Sequence, residues 1–392
     1  MKTLHDISLT NKKVLVRADL NVPLNEKLEI TDANRIKQSV PTLKYILENG
    51  GSPIVMSHLG SPKGSVDPNL SLKPVAAKLE ELLGTKVKLA PDCIGAQVEA
   101  MAANLATGEV LLLENLRFRP GEKANDANFA QSLAKLADVF VSDAFATAHR
   151  EHASMVRVPK LFKERVPGLL MQKEMNYYKK ALVQPARPLC VILGGAKVSS
   201  KLTTLINIAD KADKLIIGGA MANTFLAAQG FQMGRSLYEP DLFGKCLELL
   251  GKLARRGCKV YLPVDFRVAD NPKSKSGARE VTAQEIPADT MALDIGPATS
   301  ILYKEAITDA STIVWNGPMG MFEEDEFSHG TNELIEAVGS AHGMSLVGGG
   351  DTDAAIHKME LEHKFDYIST GGGAFLALLE GKSLPGFVAL EG

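Results

Sequence analysis

Short apolar runs of strand length alternate with longer amphipathic stretches along the first half of the chain. Such runs occur at residues 14–16, 54–56, 110–113 and 139–141, and helical spacing follows at 72–83. Pro41 stands where a further helix is predicted to begin. A strand, a polar turn and a helix, repeated several times, predict a doubly wound parallel sheet with helices on both faces.

The second half repeats this pattern with glycines at the ends of the predicted strands. The apolar run at 191–193 ends at two glycines and continues at helical spacing. Lys197 and Lys201 are predicted to share one face at the start of that helix, where free N–H groups favour a phosphate. The alternative is an ordinary turn with two solvated lysines. The near-match to the P-loop pattern at 376–383 lacks its first glycine.

An amphipathic stretch at 168–183 separates the two halves. Apolar residues recur there at steps of three and four, which predicts one helix. We interpret it as a connector between a domain at 1–167 and a domain at 184–373, the alternative being a helix packed within one domain.

Composition excludes several classes of protein. With 392 residues, 45% of them hydrophobic, and a formal net charge of −2, the chain has no general attraction for nucleic acid. No apolar run is long enough to cross a membrane, and residues 1–13 lack a signal-peptide core, which predicts a cytoplasmic protein. The four scattered cysteines form no C-x-x-C pair.

Cations gather after the predicted strands of the first half. They are Arg17, Arg35, His58, Arg117, Arg119, His149 and Arg150. Because ligands of parallel sheets bind beyond the carboxyl ends of the strands, this half is predicted to bind an anion. The alternative for each arginine alone is an ordinary surface position. His149 and His152 have the spacing of a metal pair, but no further ligands accompany them in the sequence.

Glycine and small polar residues follow the predicted strands of the second half. The clusters lie at 194–195, 218–220, 263–265, 294–297, 316–320, 348–352 and 370–373. Such turns expose backbone amides to a base, a sugar and phosphates, so this half is predicted to bind a nucleotide. Gly350 opens a helix whose amides suit phosphate, and Asp351 suits a hard cation such as Mg²⁺.

An anion site and a nucleotide site on separate domains predict phosphoryl transfer between a small acid and a nucleotide. No nucleophilic triad or G-x-G-x-x-G turn stands out. Two alternatives stay open: a nicotinamide-dependent dehydrogenase on two Rossmann-like domains, and a non-catalytic two-lobed anion-binding protein.

Eight motifs, in order along the chain, resemble those of the phosphoglycerate kinase family. They are RADLNVP at 17–23, SHLG at 57–60, ENLRF at 114–118, DAFATAHR at 143–150, GGAKVSSKL at 194–202, WNGPMGMFE at 315–323, GGGDT at 348–352 and STGGG at 369–373. The resemblance implies a monomer of two Rossmann-like domains with a cleft between them. It also implies reversible transfer between 1,3-bisphosphoglycerate and Mg-ADP, giving 3-phosphoglycerate and Mg-ATP, and a tail at 374–392 that returns to the first domain.

The resemblance also implies roles for individual residues. Substrate binding would fall to Asp19, Asn21, Arg35, His58, Leu59, Gly60, Ser61, Arg117 and Arg150. The nucleotide would be held by Lys197, Lys201, Gly219, Asn316, Glu323, Gly349, Gly350, Asp351 and Thr352, with Mg²⁺ on Asp351. Arg35, Lys197, Gly372 and Gly373 would surround the transferring group.

Three positions depart from the family pattern. Ser61 replaces an arginine that usually reaches the substrate phosphate, and Ala220 and Ala298 replace a glycine and a lysine. Because an extended backbone would aim Arg117 and Arg119 the same way, we hypothesise that Arg119 supplies the missing charge. We also predict that the domains close about the connector and the turn at 370–373.

Overall fold

The computed structural model of the protein describes residues 1–273 and 277–391, and it contains two compact units. The first unit comprises Met1–Met175 and the C-terminal residues from Ser383 onward. The second unit comprises Asn176–Lys382. Gly392, the last residue of the predicted tail, lies outside the described residues.

The first unit is built on a six-stranded parallel sheet. Its strands are β1 (Lys13–Ala18), β2 (Ser52–Met56), β3 (Val87–Leu89), β4 (Val110–Leu112), β5 (Val139–Asp143) and β6 (Arg165–Pro167), in the order β3-β4-β2-β1-β5-β6. Leu15 pairs with Ile54 on one side and Phe140 on the other. Val14 and Val16 contribute to the core on one face of the sheet and Leu15 to the core on the other. Burial on both faces explains the unbroken apolar runs of the sequence.

Helices follow these strands, and the last of them continues into the second unit. They are α1 (Asn34–Glu48), α2 (Lys73–Leu83), α3 (Ala96–Ala103), α4 (Pro120–Lys123), α5 (Ala127–Ala134), α6 (Ala153–Val156) and α7 (Leu169–Tyr178). The prediction that a helix begins at Pro41 is wrong, because α1 begins at Asn34 and contains Pro41 in its interior. Pro41 removes one helical hydrogen bond. Burial of Ile36, Leu43 and Ile46 on one face of α1 offsets that loss.

The second unit contains another six-stranded parallel sheet. Its strands are β7 (Leu189–Leu193), β8 (Lys214–Ile217), β9 (Lys259–Tyr261), β13 (Thr312–Asn316), β14 (Met344–Val347) and β15 (Tyr367–Ile368), in the order β15-β14-β13-β7-β8-β9. Its helices are α8 (Leu202–Ala209), α9 (Ala220–Ala228), α10 (Phe243–Arg256), α11 (Pro297–Thr308), α12 (His329–Gly339), α13 (Gly350–Lys358) and α14 (Gly372–Leu379). The predicted α/β class with two doubly wound parallel sheets is confirmed.

A small antiparallel sheet in the second unit does not follow from the sequence pattern. It consists of β10 (Asp265–Ala269), β11 (Arg279–Thr282) and β12 (Met291–Ile295), with β10 in the centre. The cluster at 294–297 therefore follows an antiparallel strand, and its prediction as the end of a parallel strand is wrong. Apolar runs of strand length do not reveal the direction in which a strand pairs.

The segment at 168–183 and the C-terminal residues complete the chain. Helix α7 is continued by one wide π-helical turn at Lys179–Val183. Helix α15 (Pro385–Val388) belongs to the first unit, where the amide of Gly386 donates to the carbonyl of Ala148 at 2.9 Å. Among the described residues, no helix is long and apolar enough to span a bilayer.

Candidate active site

Four neighbouring strands of the first unit are followed by residues predicted to bind the acid substrate. Asp19 and Asn21 follow β1, His58 follows β2, Arg117 follows β4 and Arg150 follows β5. These strands lie side by side in the order β4-β2-β1-β5 and run parallel, so their carboxyl ends meet at one edge of the sheet. The positions that the sequence separates by up to 131 residues thus belong to one group.

Asp19 is the acidic residue within this group of cations. Its buried carboxylate accepts a hydrogen bond from Arg35 Nη1 at 2.9 Å and one from the amide of Asn21 at 3.2 Å. Asn21 Oδ1 in turn accepts from the amide of Gly60 at 2.8 Å. The loop after β1, the start of α1 and the loop after β2 are therefore held together by direct hydrogen bonds.

Arg117 has a buried guanidinium that is only partly satisfied. Its Nη1 donates to the carbonyl of Gly60 at 2.6 Å and approaches Ser61 Oγ at 3.4 Å. Within the described part of the chain, Nε and Nη2 are buried and have no hydrogen-bond partner. Burial and the neighbouring charge of Arg150 lower the pKa of Arg117 to about 10. A buried cation with unused donors is costly, and an anionic ligand would remove that cost.

Arg119 does not join Arg117 in the group of cations at the strand ends. The expected extended backbone is wrong, because Leu116–Phe118 form one turn of 3₁₀ helix and turn the two side chains apart. Asn115 Oδ1 stabilises this turn by accepting from the amide of Arg117 at 3.0 Å. The guanidinium of Arg119 instead forms an ion pair with Asp92.

Two histidines of the first unit, His58 and His152, lie in surroundings that disfavour their protonated form. Burial, followed by the charges of Arg17 and three other arginines, holds the pKa of His58 well below its ordinary value. Burial and the charge of Arg117 likewise lower the pKa of His152 to about 4. Among residues 1–273 and 277–391, no group of three or more His, Cys, Asp or Glu side chains is arranged to hold a metal ion.

The second unit contains a cavity of about 390 Å³ beside the glycine clusters. Gly195, Gly219, Glu323 and Asp351 line it together with apolar side chains such as Met319. Gly219 has a φ of +65°, and a Cβ there would lie 2.6 Å from both the nitrogen and the oxygen of Gly195. The turns after β7 and β8 can approach this closely only because position 219 has no side chain.

Lys197 and Lys201 are separated by the structure rather than brought together. Helix α8 begins only at Leu202, so the prediction that both lysines share a face of that helix is wrong. Lys201 is partly buried and donates to the carbonyls of Gly194 at 2.6 Å and Asn316 at 3.0 Å, whereas Lys197 is exposed. Burial lowers the pKa of Lys201 to about 8, although the nearby charge of Asp351 opposes the shift.

Hydrogen bonds join the turns after β13 and β14. Asn316 Nδ2 donates to the carbonyl of Gly348 at 2.6 Å, and the amide of Gly317 donates to Thr352 Oγ1 at 2.7 Å. The start of α14 lies close by, since a Cβ on Gly372 would be 3.9 Å from the nitrogen of Gly350. The first turns of α13 and α14 are therefore neighbours, and the free amides of both lie in one region.

Several residues that support the two groups escape sequence reasoning. Glu122 is completely buried and accepts from the hydroxyl of Ser154 at 2.6 Å, beneath the cations of the first unit. Asn223 lines the cavity of the second unit, and its Oδ1 is buried without a partner among the described residues. Asn223 interrupts a stretch of small and apolar residues, whereas Glu122 lies in a polar stretch and its partner Ser154 is 32 residues away in the chain.

Comparison with known proteins gives one family over nearly the whole chain. The family model described as phosphoglycerate kinase matches residues 4–382. The phosphoglycerate kinase of Desulfotalea psychrophila is 52% identical over 391 residues, which cover 100% of this chain and 100% of the relative. The phosphoglycerate kinase of Aquifex aeolicus is 50% identical over 390 residues, which cover 100% of this chain and 98% of the relative. The solved phosphoglycerate kinase of Coxiella burnetii has a TM-score of 0.93 at 40% identity, with 99% of this chain and 98% of that chain covered.

Proposed function

The chain belongs to the phosphoglycerate kinase family and is a glycolytic phosphotransferase with a carboxyl group as acceptor. We propose that the cations at the end of the first sheet bind 3-phosphoglycerate or 1,3-bisphosphoglycerate. The residues of this proposed site are Asp19, Asn21, Arg35, His58, Leu59, Gly60, Ser61, Arg117 and Arg150. Comparison of whole chains favours neither a dehydrogenase nor a non-catalytic anion-binding protein.

The buried guanidinium of Arg117 carries the proposal for the acid substrate. Two of its nitrogens have no hydrogen-bond partner within residues 1–273 and 277–391, although they are buried. A substrate phosphate or carboxylate offers acceptors that match both the charge and the planar geometry of arginine. We assign Arg117 to the phosphate. Arg35 is assigned to the other end of the substrate, because it is bonded to Asp19 through Nη1 and its side chain remains partly exposed.

The nucleotide is assigned to the cavity of the second unit and to the glycine turns beside it. The proposed residues are Lys197, Lys201, Gly219, Asn316, Glu323, Gly349, Gly350, Asp351 and Thr352. The exposed carboxylate of Asp351 at the start of α13 fits a Mg²⁺ ion that arrives with the nucleotide. Mg²⁺ in kinases commonly uses one or two carboxylates together with substrate phosphates, so a single carboxylate suffices.

Catalysis is assigned to cations and amides rather than to a nucleophile. Phosphoryl transfer requires positioning and positive charge around the moving group. We assign this charge to Arg35 and Lys197 and to the amides of Gly372 and Gly373, which are helix N-terminal and have no helical partner. The family resemblance further supports Mg²⁺ dependence, a monomer in the cytoplasm, and domain closure about the connector at 168–183 and the turn at 370–373.

A coupled assay tests the proposed function. ATP consumption that depends on 3-phosphoglycerate is expected, and Arg117→Met should raise the KM for 3-phosphoglycerate about tenfold or more because a charged hydrogen bond is lost. Arg157→Ala is the control, since Arg157 is exposed, donates to the carbonyl of Asn125 and is not one of the proposed substrate residues. Absence of substrate-dependent ATP consumption would contradict the function.

For closure, small-angle scattering should show a smaller radius of gyration with both substrates bound.

A further inference from the structure

Arg17 forms a hydrogen bond with His58, one of the proposed substrate residues. Arg17 Nη2 lies 3.2 Å from His58 Nδ1, and the two side chains are only 1% and 2% exposed. A guanidinium has five N–H donors, no acceptor, and stays protonated in proteins. His58 Nδ1 must therefore accept, which leaves it without a proton in this arrangement.

The other nitrogens of Arg17 are engaged as well, so the guanidinium is fixed. Nε donates to Ser154 Oγ at 2.9 Å, and Nη1 donates to the carbonyl of Ala18. Ser154 is itself anchored, because its hydroxyl and its amide donate to the two oxygens of Glu122 at 2.6 and 3.0 Å. A buried chain of hydrogen bonds thus runs from Glu122 through Ser154 and Arg17 to His58.

The surroundings of His58 disfavour a second ring proton. Burial and the charges of Arg17, Arg117, Arg150 and Arg35 all lower its pKa. The facing carboxylate is that of Asp19, whose Oδ1 lies 3.9 Å from Nδ1, beyond hydrogen-bond distance. Asp19 is moreover bonded to Arg35 and to the amide of Asn21. A neutral imidazole with its proton on Nε2 agrees with every neighbour.

We propose that Arg17 is a positioning residue that fixes the proton of His58 on Nε2, making His58 a neutral hydrogen-bond donor to the acid substrate. Among the described residues the ring hydrogen bond of His58 is made through Nδ1 and none through Nε2, so the N–H of Nε2 remains for a ligand oxygen. The inference rests on the proposed function, because it takes the substrate to be the anion bound there. It assigns the positive charge of the site to arginines alone and keeps His58 out of proton transfer.

Ring nitrogen NMR of the ligand-free, ¹⁵N-labelled protein tests the proton position directly. The protein has eight histidines, and the His58→Gln spectrum identifies the signals of His58 by their absence. We expect an unprotonated Nδ1 and a protonated Nε2, unchanged between about pH 5 and about pH 8. A proton on Nδ1, or titration within this range, would overturn the proposal whether or not the enzyme is active.

Variants of Arg17 test whether this residue sets the proton. Arg17→Met removes the donor, so mixed tautomers should appear and the KM for 3-phosphoglycerate should rise about three- to tenfold, with kcat within about twofold. Arg17→Lys keeps a donor and should restore the wild-type ring signals. Unchanged signals in Arg17→Met would overturn the role of Arg17. If Arg17→Met does not fold, the wild-type spectrum still shows which ring nitrogen of His58 carries the proton, and Arg17→Lys still tests the role of Arg17. A kinase assay of the same sample separately tests the proposed function.

Discussion

Arg35 Nη1 lies 2.9 Å from Asp19 Oδ2, which orients an otherwise accessible guanidinium. Asp19 is 6% exposed whereas Arg35 is 40% exposed, so the carboxylate is fixed and the arginine remains open to a ligand. We predict that Arg35→Ala lowers kcat by about 10²–10³-fold, because charge stabilisation of this kind strengthens in the transition state. Steady-state kinetics with 3-phosphoglycerate and ATP provide the measurement.

Arg35→Lys is the matched variant for this prediction. Lysine keeps the charge but loses the planar, bidentate geometry, so its kcat should lie between those of wild type and Arg35→Ala. A change confined to the KM in Arg35→Ala would contradict a role in the transition state.

Substitution of Arg119 and of Ser61 tests which of these positions contributes to binding of 3-phosphoglycerate. Because Arg119 is paired with Asp92, we now expect Arg119→Ala to leave the KM for 3-phosphoglycerate within about twofold of wild type, as for an exposed ion pair. Ser61 lies beside Arg117 instead, with its Oγ 3.4 Å from Nη1. Ser61→Arg should therefore add a donor for the phosphate and lower that KM about tenfold.

Steady-state kinetics of Arg119→Ala and Ser61→Arg show which of the two positions can supply positive charge to the substrate phosphate. A tenfold rise of the KM in Arg119→Ala would restore the hypothesis that Arg119 replaces the missing arginine. Ser61→Ala serves as the control for Ser61→Arg, since it removes the hydroxyl without adding charge.

The strand ends were predictable from the sequence, but the partners of their side chains were not. Continuous apolar runs mark the strands, and the parallel arrangement brings Asp19, His58 and Arg117 to one edge. The position of Lys201, in contrast, depends on the carbonyl of Asn316, which lies 115 residues away in the chain. Helical spacing alone predicted an earlier helix start, because local patterns contain no information on such a long-range contact.

Lys201 is expected to give the enzyme an alkaline limb in its pH profile. Burial lowers the pKa of Lys201 to about 8, and only its charged form attracts nucleotide phosphates. The value of kcat/KM for ATP, which reports the enzyme before the nucleotide binds, should therefore fall as the pH rises through about 8. The measurement is a pH series at saturating 3-phosphoglycerate.

Methionine variants of the two lysines identify the group responsible. Lys201→Met should lower kcat/KM and remove the limb near pH 8, because no titrating group remains at that position. Lys197→Met should lower kcat/KM but keep the limb, since Lys197 is exposed. Persistence of the limb in Lys201→Met would assign it to another group.

Substitution of Gly219 tests whether the close approach of the turns after β7 and β8 requires glycine at this position. A Cβ at this position would lie 2.6 Å from backbone atoms of Gly195, which cannot move aside as a flexible side chain can. Gly219→Ala should lower the free energy of unfolding by about 1–3 kcal/mol through overpacking and raise the KM for ATP. Gly230→Ala is the control, because Gly230 also has a positive φ of +96° but nothing within 4 Å of the added carbon.

Equal destabilisation by these two alanines would show that backbone conformation, rather than the contact with Gly195, determines the need for glycine. The free energy of unfolding of each variant is measured by urea unfolding, followed by the fluorescence of Trp315. Trp315 is the single tryptophan of the chain and is buried in the second unit.

Asp294 makes the stability of the second unit depend on pH. Burial raises its pKa from 3.8 to about 7, although the amides of Gly330 and Ile295 donate to its two oxygens at 2.8 and 2.9 Å. Between these pH values the folded state binds more protons than the unfolded state, so the free energy of unfolding falls as the pH rises. Asparagine cannot ionise, and it replaces one acceptor by an N–H₂ group.

Asp294→Asn should therefore destabilise the second unit more at pH 5 than at pH 8, because the carboxyl of the folded wild type is still neutral at pH 5 and is ionised at pH 8. By pH 8 the difference from wild type should shrink by at least about 1 kcal/mol, the equivalent of one pKa unit. Asp241→Asn, at an exposed position of the same unit, is the control and should show no such trend. A difference that grows with pH, measured by Trp315 fluorescence in urea, would mean that the folded state stabilises the ionised form of Asp294.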